Sequence, residues 1–158
     1  MKKLLCAVLS VFILSSCNRV DFQPDFPLCP EGQVEVVYNG IDYTADVYFE
    51  NDVLNIRIVQ PEALKDFKIT VGPAEITVIN DSLELKYDKE KSEKLFPIIQ
   101  IYDVLIQLNS LKPVFNDNNG NLVAQFDVNQ NECYVMLDKQ SEKLLKIEYK
   151  GLVFNFIT

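Results

Sequence analysis

The chain contains no histidine and no tryptophan in its 158 residues. Without histidine there is no Ser-His-Asp or Cys-His catalysis, no imidazole base and no His-containing metal site. Glycine is scarce as well, with five copies scattered at turns. A Gly-rich phosphate loop, Gly-x-Gly-x-x-Gly and Gly-x-Ser-x-Gly are all missing. Positive charge is the next shortage. Fifteen Lys and Arg stand against 23 Asp and Glu, a net charge of −8. Nucleic-acid binding requires Lys and Arg to neutralise phosphates, so a nucleic-acid partner is not expected. Long hydrophobic runs are absent too. The longest, Leu4 to Leu14, has 11 residues. As a helix it measures about 16 Å, well short of a ~30 Å hydrocarbon core.

That short run has a context. Lys2 and Lys3 precede it, and Leu14-Ser15-Ser16-Cys17 closes it. A basic start, a short apolar stretch and small residues make an export signal. The closing four residues resemble the bacterial lipobox: an apolar residue, two small ones, and a cysteine that is lipidated and becomes the first mature residue. The resemblance implies a signal peptide over 1–16, an anchor at Cys17, and a place on the extracytoplasmic face of a bacterial membrane. Asn18 stands where an Asp would signal inner-membrane retention, so a two-membrane host would sort the protein to its outer membrane. Loss of Lys2 and Lys3 leaves 13 basic and 23 acidic side chains. Anionic headgroups repel such a domain, so attachment rests on the anchor. Two or three acyl chains hold firmly at about 0.8 kcal/mol per buried CH₂.

Residues 17–32 carry three prolines and no hydrophobic period. They read as a lipidated tether, with one domain over 33–158. With Cys6 in the signal and Cys17 acylated, Cys29 and Cys133 remain. In an exported protein they are a candidate disulfide, the alternative being two free thiols.

Period-two alternation dominates the domain, as in half-buried antiparallel strands. Val34 to Tyr38 leads into Asn39-Gly40, a strong hairpin signal. Alternating runs follow at Ile41–Phe49, Leu54–Ile58, Phe67–Val71, Ile76–Val78 and Leu83–Tyr87, with a helical turn at Pro61 to Leu64. Asp88 to Lys94 is a charged, solvated approach. From Pro97 to Leu108 the polar residues Gln100, Asp103 and Gln107 recur every three to four positions on an otherwise apolar helix. Such a helix must be covered over most of its circumference. Alternation resumes at Leu122–Val128, Cys133–Leu137, Leu145–Tyr149 and Leu152–Phe156. The expectation is an α+β domain in which about ten antiparallel strands form a curled half-barrel. One long apolar helix lies on its concave face, because accumulated twist keeps ten strands from lying flat.

Two motifs invite a chemical reading. Asp42, Asp46 and Glu50 share one strand face at every fourth position, about 13 Å between neighbours. Paired carboxylates can hydrolyse glycosides, but a solvated strand face carries carboxylates on one side just as readily. Asn116 to Asn121 resembles a calcium loop when Gly120 takes the sixth position. Phe115 and Phe126 then fall where carboxylates are required. A turn-rich hairpin is the expectation there. Neither a metal nor a cofactor is implied.

The order of elements, with the stretches QPEALKDFKITV (Gln60 to Val71) and LDKQSEKLLKIEYKGLVFNF (Leu137 to Phe156), resembles lipoproteins with the LolA-like half-barrel fold. That class includes outer-membrane lipoprotein carriers and receptors, mycobacterial lipid-carrying lipoproteins, and the lipoprotein-sensing domain of an envelope-stress regulator. The resemblance implies a non-enzymatic envelope lipoprotein that binds an apolar ligand or lipid and hands it on. A cavity would lie between helix and sheet. Ile98, Ile99, Tyr102, Leu105 and Ile106 would line it from the helix, and Phe67, Ile69, Leu85, Phe126, Ile147 and Phe154 from the sheet. The alternative is a sealed core serving an envelope-protein partner, as an interaction or sensor module.

Overall fold

The computed structural model describes residues 21–38, 40–92 and 97–157. The signal segment, Cys6, Cys17, Asn39 and part of the charged run lie outside the described residues. The strands are β1 (Asp21–Phe22), β2 (Glu31–Tyr38), β3 (Ile41–Glu50), β4 (Val53–Gln60), β5 (Lys68–Val71), β6 (Glu75–Asn80), β7 (Leu83–Asp88), β8 (Phe115–Asn118), β9 (Asn121–Val128), β10 (Asn131–Asp138), β11 (Leu144–Tyr149) and β12 (Leu152–Ile157). They form one antiparallel sheet in the order β1-β8-β9-β10-β11-β12-β2-β3-β4-β5-β6-β7. It curls without closing. Two meanders, β2–β7 and β8–β12, are fused where β12 pairs with β2.

Two strands exceed the expected ten. β1 and β8 are short and polar, and each owes its extended form to a neighbour: Phe22 pairs with Phe115, and Asn116 with Val123. Hairpin turns set the registers. Asn51-Asp52, Asn119-Gly120, Asn129-Gln130 and Lys150-Gly151 each place two successive residues at positive φ. Such turns twist in the same sense as the strands they join.

The helix runs as a 3₁₀ turn, Pro97–Ile99, continued by an α-helix, Gln100–Leu111. Ile101, Tyr102, Val104, Leu105 and Leu108 are buried along it. They join Val36, Phe49, Leu54, Val135, Ile147 and Phe154 in one core cluster. A short helix, Lys89–Ser92, precedes it in the charged run. Lys89 Nζ donates to Asp103 Oδ1, with both side chains about six-sevenths covered (14% and 13% exposed). The same ammonium lies 4.5 Å from the Tyr102 ring centroid, and the Tyr102 hydroxyl donates to the Asp52 carbonyl at 3.1 Å. This network fixes the helix start against the β3–β4 turn.

The segment between β1 and β2, read from composition as tether, packs as a strap. Leu28 N–H donates to Asn109 Oδ1 at 2.8 Å, and Asn109 Nδ2 donates back to the Leu28 carbonyl at 3.0 Å. Phe22, Phe26 and Leu28 pack against the core. Proline content carried no information about this attachment to the end of the helix.

Candidate functional site

An apolar cavity of about 210 Å³ opens where the start of the helix meets strands β2 to β5. Its lining is Val36, Tyr43, Ile58, Leu64, Phe67, Ile69, Pro97 and Ile98. Local sequence explains each wall. Val36, Tyr43, Ile58 and Ile69 occupy the inward positions of four neighbouring strands, with Val36 opposite Tyr43. The turn Glu62–Leu64, led by Pro61, carries Leu64 over the mouth. Its closure is local: Leu64 N–H donates to the Pro61 carbonyl at 2.9 Å, and Phe67 N–H to the Leu64 carbonyl at 3.2 Å. Pro97 starts the helix because its missing N–H costs nothing in a first turn.

Three of the eleven expected lining residues, Ile98, Phe67 and Ile69, line this cavity. Ile99, Leu105, Ile147 and Phe154 are instead fully packed in the core. Tyr102 is buried with its hydroxyl satisfied. Ile106 and Phe126 are half-buried against the core. Leu85 is exposed on β7. The expected cavity under the middle of the helix is therefore filled, and the open space lies at the helix start. Val36, Tyr43, Ile58, Leu64 and Pro97 were not expected. The inward alternation beside Phe67 and Ile69 was the available signal for three of them.

The other candidates resolve as follows. Cys29 and Cys133 are free thiols, the first exposed and the second buried, which is the alternative to the candidate disulfide. Cys133 faces the core between Phe126 and Tyr149 on adjacent strands, whereas Cys29 sits on the strap. Burial pushes the Cys133 thiol up to about 12, far from a reactive thiolate. Asp42 and Glu50 are exposed. Asp46 accepts from Arg57 Nη2 at 2.5 Å, and Glu50 from the Tyr48 hydroxyl at 2.7 Å. These carboxylates lie on the outer, solvated face, without the desolvated cleft an acid–base pair needs. In the β8–β9 hairpin, Asp117 accepts from Lys139 Nζ at 2.5 Å and from Gly120 N–H at 3.3 Å. The Lys139 ammonium holds the Asp117 carboxyl below its ordinary value. A lysine thus takes the place a cation would need. Among the described residues no cluster of His, Cys, Asp and Glu is arranged to hold a metal, and no helix is long and apolar enough to cross a membrane.

Two larger surface hollows, about 450 and 480 Å³, are open and carry charged walls, including Glu31, Glu142 and Lys143 in one and Asp46, Arg57 and Lys68 in the other. The smaller cavity has the more uniformly apolar lining.

No family model matches the chain, and no curated protein matches it. Among solved structures it is similar to a chain in the complex of the CwlD amidase from Clostridioides difficile with the GerS lipoprotein, at 18% identity and a TM-score of 0.46, covering 94% of this chain and 85% of that one. It is also similar to the LolA superfamily protein NE2245 from Nitrosomonas europaea, at 9% identity and a TM-score of 0.37, covering 90% and 86% respectively.

Proposed function

We propose that this is a non-enzymatic, lipid-anchored envelope protein that takes the end of one apolar chain into the cavity at the helix start. The apolar lining of that cavity carries the reading. Its volume of about 210 Å³ sets the ligand size. A dry cavity of about 150 Å³ accepts benzene, whereas sites for drug-sized ligands start near ~300 Å³. A single hydrocarbon segment fits, and a whole multi-chain lipid does not. The lipobox at Leu14 to Cys17 supports the anchor and the extracytoplasmic address.

Binding stabilises the folded state in proportion to ligand concentration. Decanol should therefore raise the melting temperature of the full chain in a saturable way. The Ile98→Trp variant, with the space filled, should lose that response while melting no lower than the parent. An unresponsive parent chain would sink the ligand reading. The anchor is tested separately: Cys17→Ala should remove fatty-acid labelling and release the protein from membranes.

The filled interface under the middle of the helix favours a second reading, an interaction module. Val104, Leu105 and Leu108 are fully enclosed there. That reading predicts no decanol response in either variant.

A further inference from the structure

The sheet curls without closing, and β7 forms one edge, with no strand beyond it among the described residues. Natural proteins usually blunt such an edge. Here Leu83 and Leu85 alternate along it and are exposed, at 56% and 39%. Both belong to the inward row, since Leu85 pairs with the buried Val78. The outward row carries Glu84, Lys86 and Asp88.

We propose that β7 pairs antiparallel with β7 of a second copy, about a two-fold axis through Leu85, to form a continuous sheet. The sequence of the strand selects this register. Centred on Leu85, the pairing sets Leu85 against Leu85, Leu83 against Tyr87, and Glu84 against Lys86, the last two occurring twice by symmetry. Ser82, in the turn before the strand, then faces Asp88 as a hydroxyl donor to a carboxylate. Centring on Lys86 opposes Lys86 with itself and Glu84 with Asp88. Centring on Glu84 opposes that carboxylate with itself. A one-residue slip puts the leucines of one copy against the charged row of the other. Of these registers, the one through Leu85 sets the leucines against Leu85 and Tyr87 and Glu84 against Lys86 with no like charges opposed, and directly opposed like charges are destabilising. Lys86 already stands amid acidic groups, 3.4 Å from Glu75 and 3.8 Å from Glu84 of its own chain. It is therefore held on the outer face where the partner's Glu84 arrives. One strand pair is a small interface, and shared anchoring on one membrane raises the effective concentration at which copies meet.

Residues directly opposed across an antiparallel pair have Cα atoms about 4.5 to 5.5 Å apart, within the range a disulfide bridges. Full-length chain carrying Leu85→Cys, with Cys29→Ser to remove the exposed thiol, should oxidise in membranes to a disulfide-linked homodimer. Asp88→Cys in the same background should not, because its symmetry mate lies six strand positions away. Adding Lys86→Glu to Leu85→Cys should reduce cross-linking about fivefold, since both charge pairs become repulsive. Adding Glu84→Lys as well should restore it. Cross-linking no greater than that of Asp88→Cys, or indifferent to Lys86→Glu, would overturn the proposal. So would a Leu85→Cys adduct whose mass shows a different protein on the edge. A cysteine variant that failed to accumulate would leave native mass spectrometry of the unmodified chain in mild detergent to decide: dimer, reduced in Lys86→Glu, supports the pairing, and monomer alone refutes it.

Discussion

At the scale of single residues, burial gives two chemically identical thiols different behaviour. Cys29 is exposed on the strap, and Cys133 is enclosed in the core. The thiol of Cys133 is pushed from an ordinary 9.0 to about 12 by desolvation of its charged form. The consequence for stability follows from linkage. The folded state holds the proton more tightly, so its advantage is complete below the unfolded value near 9 and is lost as pH rises from there through about 12. A thiol reagent at pH 8 should label Cys29 in the native protein and Cys133 only on unfolding. In a series of melting temperatures between pH 9 and 12, Cys133→Ala should decline less steeply than the parent. Equal labelling of both thiols in the native state would contradict this placement. The same burial separates the two readings that cysteine counting left open. Counting offers a pair by elimination, while the inward alternation of β10 commits Cys133 to the core.

At the scale of elements, the helix has a filled stretch and an open end. Leu105 is fully enclosed, so Leu105→Ala should destabilise by about 2 to 5 kcal/mol, as deletion of buried methyl groups does. Ile98→Ala, at a position already beside empty space, should cost less in the same urea titrations. A larger loss at Ile98 would place the void wrongly. The helix itself was legible, because Gln100, Asp103 and Gln107 mark one polar stripe and Pro97 its start. The inward row of each longer strand was legible for the same reason: alternation is a local property. The cavity was legible only as a layer between helix and sheet. Its position depends on whether Leu64, Tyr43 and Ile98, from three different elements, fill the space between them. No period within one element records that sum. β8 escaped notice because Asn116, Asp117 and Asn118 have turn composition, and pairing with β9 overrides it. The strap escaped for a related reason. Its hold on Asn109 joins residues far apart in sequence.

At the scale of the whole molecule, the decisive junction is the pairing of β12 with β2, which sets Phe154 beside Val36 and Phe156 beside Val34. Everything else in each meander is built from neighbours along the chain. This junction joins strands near opposite ends of the described domain. Non-local pairings carry a large loop-closure cost and slow folding. Val36→Ala should therefore lower the refolding rate, whereas Ile76→Ala, far from the junction, should chiefly raise the unfolding rate. Stopped-flow chevrons on the two variants give the comparison, and identical effects on both limbs would remove the distinction. The junction also sets a schedule. A chain threaded through a membrane with its N-terminal segment leading delivers β2 early and β12 last. Until β12 arrives, the two meanders have no shared edge. In a chain exported as proposed, folding would thereby be withheld during transit, and the domain would complete itself on the far side in one late step.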